Sequence, residues 1–176
     1  MQRLLLPFET AAPDVDESPL CDEAPIETAK RLAESKARAV SRQFQDALII
    51  GSDQVAAAEN RTFGKPMTHH NAISQLKQMR GKEVIFHTAL SLLNSATQRI
   101  STQVVSTRVG FRELTDTEIE IYLSKENALN CAGSAKSEGL GISLLSYIRG
   151  DDPNALIGLP LIALCEMLRA EGVCIP

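Results

Sequence analysis

The chain has 176 residues, a formal net charge of −4 at pH 7, and a composition that is 44% hydrophobic and 23% charged. These values are typical of a single globular domain with a sizeable core. Trp is absent and aromatic residues make up only 4% of the chain. Stacking platforms for single-stranded nucleic acid are therefore scarce, and the acidic balance disfavours a protein that coats a nucleic acid polymer.

The cysteines and the hydropathy pattern indicate in which cellular compartment the protein is expected. The four cysteines show no Cys-x-x-Cys spacing, which favours reduced thiols over a disulfide framework or a zinc site. No apolar run approaches the roughly 18 residues of a membrane span, and the N-terminus lacks the pattern of a signal peptide. We therefore expect a cytoplasmic protein that does not enter the membrane.

The N-terminal segment combines a short apolar stretch with an acidic one. Residues 8–11 are interpreted as a brief strand, and residues 13–25, which are rich in Asp, Glu and Pro, as a loop. From the pattern alone, Glu17 in this loop is a solvated acidic residue.

A helix is predicted to begin at Pro25, where the missing N–H of proline costs nothing. Small and apolar residues then recur at helical spacing on one face: Ile26, Ala29, Ala33, Ala37, Val40 and Phe44. The i, i+4 spacing predicts two ion pairs on this helix: Glu27–Arg31 and Glu34–Arg38. Lys36 lies beside the apolar stripe, and the pattern alone favours a side chain that extends its charge into solvent.

The most informative stretch of the chain is Leu48 to Val55. Its apolar start predicts a buried strand, and Gly51–Ser52 is expected to end it, which places Asp53 and Gln54 at the carboxyl end of the strand. Lys65 follows in Gly64-Lys65-Pro66. Ligands of α/β proteins bind at such an edge, and a carboxylate with a lysine suits a phosphate-bearing substrate. The alternative is a strand followed by a solvated aspartate at a turn.

The middle of the chain predicts a turn, a helix and a hairpin. The turn is expected at residues 59–61. Thr68 is the predicted N-cap of a second helix, with Gly81 as its stop. Residues 83–93 and 99–112 are rich in β-branched and aromatic residues, and they are interpreted as a long β-hairpin.

The C-terminal third predicts a capped helix, a glycine-rich loop, a strand and a last helix. Thr115–Glu118 has the sequence of a capping box. The loop covers residues 131–141, and Glu138 is expected to project from it. Residues 142–148 predict the final strand, and residues 158–160 open the last helix. Its predicted apolar set is Leu161, Ile162, Leu164, Cys165 and Leu168.

Six ordered blocks of sequence, spread over residues 6–172, together resemble the Maf family of nucleotide pyrophosphatases. They are Phe8–Glu17, Leu32–Ala37, Gly51–Val55, Gly64–Pro66, Cys131–Gly139 and Gly158–Leu161. The Ser-Asp-Gln and Lys-Ser-Glu-Gly-x-Gly versions of two blocks resemble the branch that hydrolyses 7-methyl-GTP. The branch that acts on dTTP and UTP instead has Ala-Asp-Thr in the first of these blocks and no acidic residue in the second.

The resemblance implies a fold. This is an α/β fold with a mixed, twisted sheet and flanking helices, in an elongated, two-lobed architecture with a central cleft that is similar to the inosine triphosphatases. A single domain is expected over residues 1–176, without the first strand of the family and the Ser-rich basic turn that follows it. The implied partner is a small-molecule nucleotide, and a homodimer is one of the oligomeric states left open.

The resemblance also implies a reaction, in which water attacks between the α and β phosphates and releases a nucleoside monophosphate and pyrophosphate. Asp53 would accept the proton of the attacking water or would orient it as a metal-bound carboxylate. Lys36 and Lys65 would neutralise phosphate oxygens. Glu17 would help to hold a divalent cation, Mg²⁺ or Mn²⁺, or would remain an ordinary acidic loop residue.

Recognition of the base would fall to Gln54 and Glu138. A carboxylate accepts hydrogen bonds from the guanine N1–H and amine, and the positive charge of an N7-methylated ring strengthens such bonds. The Gln54 amide both donates and accepts, so it distinguishes base edges.

Two alternatives to 7-methyl-GTP hydrolysis remain at this point. One is a pyrophosphatase for another modified triphosphate or for a pyrimidine triphosphate such as dTTP or UTP. The other is a non-catalytic nucleotide-binding protein that affects septum formation, the process to which the name of the family refers.

Overall fold

The computed structural model describes residues 1–18, 20–59 and 61–176. In this part of the chain, five antiparallel strands form one sheet. The strands are β1 (Leu48–Ala58), β2 (Arg61–Phe63), β3 (Glu83–Asn94), β4 (Arg99–Phe111) and β5 (Leu145–Arg149). Their order is β2-β1-β3-β4-β5. The α/β class is confirmed, and the described pairings are antiparallel where the resemblance implied a mixed sheet. The two-lobed shape and central cleft stay predictions.

Helices cover both faces of the sheet. They are α1 (Pro25–Ser41), α2 (His69–Met79), α3 (Asp116–Lys125) and α4 (Leu161–Ala170). On one face, Ala33 of α1 packs with Val55. On the other face, α2 and α3 pack around Phe86, and α4 packs against Leu90. Since side chains alternate along a strand, the neighbouring residues of β1 face different helices.

Several predicted elements are confirmed. Strands β3 and β4 form the long hairpin, with Asn94 opposite Arg99 at its turn. The Thr68 side chain accepts the Asn71 N–H at the start of α2. At the start of α3, Thr115 and Glu118 form both hydrogen bonds of a capping box. These signals are local, so tertiary packing does not override them.

Strand β1 corrects the prediction for Gly51–Ser52, because the strand runs through both residues and ends only at Ala58. A Cβ atom at Gly51 would lie 2.2 Å from the Ala33 carbonyl oxygen. The glycine is thus a point of close helix approach and not the end of the strand. After Ala58, Glu59 has a φ of +53°, and Asn60 of the expected turn lies outside the described residues.

Three further element predictions are wrong. Residues 8–11 are exposed and form no strand in the described structure. The final strand begins at Leu145 because residues 140–144 form a 3₁₀ turn. Ile162 is 53% exposed, because the buried stripe of α4 follows Leu161, Leu164 and Leu168. Ile162 is therefore turned away from that stripe by one helical step of about 100°.

The two ion pairs predicted on α1 do not form in the described structure. Arg31 instead makes two hydrogen bonds to Glu23, at 2.6 and 2.8 Å, and Glu27 pairs with Lys30. Glu34 accepts a hydrogen bond from Thr102 of β4. A bidentate carboxylate offers an arginine a stronger contact than a single exposed pair along the helix.

All four cysteines are free thiols, as predicted. Among the described residues, none of the helices combines the length and the apolar composition that crossing a bilayer requires.

Candidate active site

The centre of the candidate site is an ion pair between α1 and β1. The Lys36 Nζ atom donates to Asp53 Oδ1 at 2.5 Å, and the two side chains are 13% and 10% exposed. Gly51 allows the helix to approach the strand closely, so the lysine reaches the carboxylate. The interpretation of Lys36 as a solvent-directed side chain is therefore wrong. The structure brings together two residues that are 17 positions apart in the chain.

Glu17 connects this pair to Lys65. Its Oε1 atom lies 2.7 Å from Lys36 Nζ, and its Oε2 atom lies 3.3 Å from Lys65 Nζ. Its side chain is 43% exposed, so the carboxylate stands at the open side of the pair. We call Glu17, Lys36, Asp53 and Lys65 the charged cluster. Four of the six residues predicted for the site thus meet in space.

The charged cluster is electrically balanced, with two carboxylates and two ammonium groups. Burial raises the pKa of Asp53, and the hydrogen bond from Lys36 only partly offsets this effect. Burial also acts to lower the pKa of Lys36, but the hydrogen bonds and charges of Asp53 and Glu17 outweigh it, so the pKa is raised. The hydrogen bond from Lys36 lowers the pKa of Glu17. Lys36 therefore stays charged.

A divalent cation is the cofactor that the resemblance implies, and the oxygen atoms of the charged cluster suit it. Among the described residues, no group of three or more His, Cys, Asp and Glu side chains is arranged to hold a metal. Mg²⁺, however, usually keeps several waters and takes only one or two carboxylates together with substrate phosphates. Glu17 and Asp53 match that requirement. The hydrogen bond from Lys36 goes to Asp53 Oδ1, and among the described residues Oδ2 accepts no hydrogen bond.

Gln54 lies on the opposite face of the sheet from Asp53. Its Nε2 atom donates to Thr88 Oγ1 at 2.8 Å and to the carbonyl oxygens of Ala155 and Leu156 at 3.0 and 3.1 Å. The side-chain amide thereby fastens β1 to the turn that precedes α4. A role for Gln54 in base recognition stays a prediction, and the structure does not place it beside the charged cluster.

Glu138 projects into solvent from the loop Cys131–Gly141, which we call the Glu138 loop. Among the described residues, neither a hydrogen bond nor an ion pair joins Glu138 to the charged cluster. Two residues that no sequence signal assigned to the site shape this loop: Tyr122 in α3 and Glu126 at its C-terminal end. Glu126 accepts from Lys136 Nζ at 2.8 Å and from the Leu140 N–H at 3.0 Å.

Tyr122 is the other residue that shapes the Glu138 loop. Its hydroxyl donates to the Ser134 carbonyl oxygen and accepts the Lys136 N–H, and burial raises its pKa to about 12. Its hydrogen bonds were not predicted, because their partners lie in a loop of irregular backbone.

Comparison with known proteins shows the family to which the chain belongs. A family model described as "Maf-like protein" matches residues 1–171. The chain belongs to the Maf family. This Maf-like chain is 60% identical to a 7-methyl-GTP pyrophosphatase of Aromatoleum aromaticum. The 176 aligned residues cover 100% of the chain and 91% of the relative. It is also 55% identical over 173 residues to a protein of the same name from Methylobacillus flagellatus, with 98% and 90% covered.

A third relative from Polaromonas sp. carries the same name and is 54% identical over 175 residues, which cover 99% of the Maf-like chain and 80% of the relative. The resemblance inferred from six short blocks is therefore confirmed across the chain.

Proposed function

We propose that this Maf-like chain is a nucleoside triphosphate pyrophosphatase that hydrolyses 7-methyl-GTP to 7-methyl-GMP and diphosphate. The observation that carries the proposal is the Lys36–Asp53 pair, a carboxylate held next to an ammonium group, in a chain whose relatives bear the name of this enzyme. The charged cluster supports the class of reaction, and the names of the relatives support the substrate.

The chemistry follows from the positions of the charges. Water attacks the α-phosphorus, and the bond from this atom to the oxygen that bridges to the β-phosphorus breaks. Lys36 and Lys65 neutralise charge on the phosphate oxygens, which lowers the barrier to the transfer. Asp53 Oδ2 faces the water, because Oδ1 is engaged by Lys36. Burial raises the pKa of Asp53, which favours the role of proton acceptor where this carboxylate does not itself bind the cation.

Glu17 and Asp53 are the residues that would hold the divalent cation in this proposal. A bound cation would supply further charge neutralisation at the phosphate oxygens. The protein itself contributes the two carboxylates and keeps them near two ammonium groups. Lys36 would then exchange part of its contact with Glu17 for contact with phosphate.

Glu138 is proposed to recognise the base. Its exposed carboxylate is able to accept hydrogen bonds from the N1–H and amine of 7-methylguanine, whose positive charge strengthens them. On this basis, Glu138→Ala lowers kcat/KM for 7-methyl-GTP more than for UTP. An equal loss with both substrates would remove Glu138 from base recognition.

The decisive experiment measures pyrophosphate release from 7-methyl-GTP, GTP, dTTP and UTP with Mg²⁺, with Mn²⁺ and with EDTA. We expect the highest kcat/KM for 7-methyl-GTP and no turnover in EDTA. Asp53→Asn serves as the inactive variant, and Glu27→Gln, on the exposed side of α1, as the matched control. A preference for dTTP or UTP would replace the substrate. Nucleotide binding without turnover would favour a binding protein that affects septum formation.

Two further properties belong to the same proposal. A free nucleotide substrate and four free thiols agree with a cytoplasmic enzyme, which fractionation of cells that express a tagged chain would test. A homodimer stays a prediction, and sedimentation of the purified chain measures it.

A further inference from the structure

The Gly64 carbonyl group joins the two ends of the proposed site, which are Lys65 at the phosphate end and the Glu138 loop at the base end. The Gly64 carbonyl oxygen, next to Lys65, accepts the Gly133 N–H of the Glu138 loop at 3.3 Å. It also accepts Gln75 Nε2 at 3.2 Å. The other end of the Gln75 amide, Oε1, accepts Ser134 Oγ at 2.7 Å. A single side chain on α2 therefore spans from the residue before Lys65 to the Glu138 loop.

The part of the Glu138 loop that Gln75 contacts has a backbone conformation that needs support. Gly133 and Ser134 have φ values of +66° and +56°, and the left-handed region is unfavourable for a serine. Ser134 is fully buried. Its hydroxyl bonds Gln75 and its carbonyl oxygen bonds Tyr122. These two contacts hold the conformation from which Lys136 and Glu138 project.

We propose that Gln75 is a positioning residue, which fixes the Glu138 loop relative to Lys65 so that the base and the phosphates of one nucleotide are bound in register. The proposal rests on the proposed function, because it takes Lys65 as a phosphate ligand and Glu138 as a base ligand. Lys65 is also held by Glu17 in the charged cluster. The Glu138 loop reaches that side of the molecule through Gly133 and Gln75.

The loss of Gln75 therefore affects the loop more than it affects the lysine. Without the amide, Ser134 loses the side-chain partner that supports its left-handed backbone, while the Lys65–Glu17 pair stays. The Met67 N–H also bonds the Leu129 carbonyl oxygen, which keeps the chain after Lys65 in place. The expected result is a change in substrate preference, and not a uniform loss of activity.

Three variants separate the two hydrogen bonds. Gln75→Met keeps the length of the side chain and removes both bonds. Gln75→Glu keeps an acceptor for Ser134 but loses the donor to Gly64, and Ser134→Ala removes only the bond between the serine hydroxyl and Gln75. Gln78→Met is the matched control, because Gln78 lies on the same helix and bonds Arg61 and Ser74 instead.

The experiment combines kinetics with a measurement that does not need turnover. In the full chain, Gln75→Met should lower the ratio of kcat/KM for 7-methyl-GTP over UTP by about tenfold, the size of effect expected when an anchored polar contact to one substrate is misplaced. Amide hydrogen exchange of residues 131–138 should accelerate by about tenfold, since local opening follows the loss of a supporting bond. Gln78→Met should change neither quantity by more than about twofold. Ser134→Ala should reproduce the exchange effect.

The outcomes are distinct. Equal losses of kcat/KM with both substrates would overturn the proposal, and if the exchange of the Glu138 loop is also unchanged, Gln75 is left as a residue that only stabilises α2. Unchanged exchange would overturn it by itself. A wild-type chain that does not hydrolyse 7-methyl-GTP would refute the proposed function instead, and the exchange data would still decide whether Gln75 holds the loop. If Gln75→Met does not fold, Gln75→Glu and Ser134→Ala provide the same comparison.

Discussion

The Lys36 ammonium group lies 2.5 Å from the Asp53 carboxylate because α1 passes directly over β1 at Gly51. A Cβ atom on that glycine would meet the Ala33 carbonyl oxygen at 2.2 Å and the Ala37 nitrogen at 2.8 Å. Both contacts are with the helix backbone, which cannot turn aside as a side chain does. The short distance in the ion pair therefore depends on a residue that carries no functional group.

Gly51→Ala tests this dependence. The added methyl group should force α1 away from β1 and reduce the free energy of unfolding by about 1–3 kcal/mol, as is typical of overpacked cores. Activity should fall as well, because Lys36 moves with the helix. Urea denaturation and steady-state kinetics measure the two effects. Gly64→Ala is the control for stability, since no atom lies within 4 Å of its added Cβ. Equal stability of both variants would contradict the expectation.

The pH dependence of the reaction tests the role of Asp53. Burial raises its pKa above the ordinary 3.8, and a proton acceptor must be ionised. The kcat/KM profile should therefore rise with pH as Asp53 ionises. Asp53→Asn should lower kcat by about 10²–10⁴-fold, the contribution typical of general base catalysis, and should remove this limb of the profile. The same limb in the Asp53→Asn variant would assign it to another group.

Glu17→Gln tests the carboxylate that stands at the open side of the charged cluster. The amide keeps the shape of the side chain but loses the charge, so the concentration of Mg²⁺ needed for half-maximal activity should rise about tenfold or more, as expected when one of few carboxylate ligands is lost. Titration of Mn²⁺ by electron paramagnetic resonance measures binding directly. Glu27→Gln, an acidic residue paired with Lys30 on the surface of α1, is the control. Unchanged Mn²⁺ affinity would exclude Glu17 as a ligand.

Local signals in the sequence predicted the elements that local contacts fix. Pro25, Thr68 and the Thr115–Glu118 capping box each act within one helical turn, and each appears in the structure as predicted. Gly51 was misread because the same residue type marks a turn or a close approach. Gly51 is a point of close approach because Ala33 of α1 packs against it. Ala33 lies 18 positions away in the chain, outside the strand pattern from which the turn was predicted.

In the candidate site, too, local sequence patterns predicted some residues, whereas the positions of others depend on contacts with distant parts of the chain. Residue types and spacing singled out Asp53 and Lys65 as a possible phosphate site, but the pattern alone sent Lys36 into solvent. Only the family resemblance assigned it to the site. Gln54 directly follows Asp53 in the chain but does not lie beside it in space, since neighbours in a strand point to opposite faces. Its amide meets Thr88 and the turn before α4, which no local pattern indicates.

Gln54→Ala tests whether Gln54 stabilises the fold in addition to its predicted role in base recognition. Its removal leaves the Leu156 carbonyl oxygen without the amide donor, while the Ala155 carbonyl oxygen keeps the Thr88 hydroxyl and the Gly158 N–H. The free energy of unfolding should therefore fall by about 1–3 kcal/mol. Denaturation by urea gives the value, and Gln103→Ala on an exposed position of β4 is the control. A selectivity change with full stability would make Gln54 purely a ligand-binding residue.

Glu118→Gln tests the capping box at low pH. The hydrogen bond from the Thr115 backbone N–H, aided by Arg112 and by the Thr115 hydroxyl, lowers the pKa of Glu118 from 4.5 to about 2. Because the folded state holds the proton more weakly than the unfolded state, Glu118 stabilises the fold above pH 4.5. That contribution is lost as the pH falls toward 2. Tm of wild type should exceed that of Glu118→Gln most clearly above pH 4.5, and the gap should close near pH 2. Glu120→Gln in the same helix, where the carboxylate makes only an exposed contact with His69 at 3.9 Å, should show a much smaller gap. A gap that stays constant across this range would mean that the bonds of Glu118 act independently of its charge.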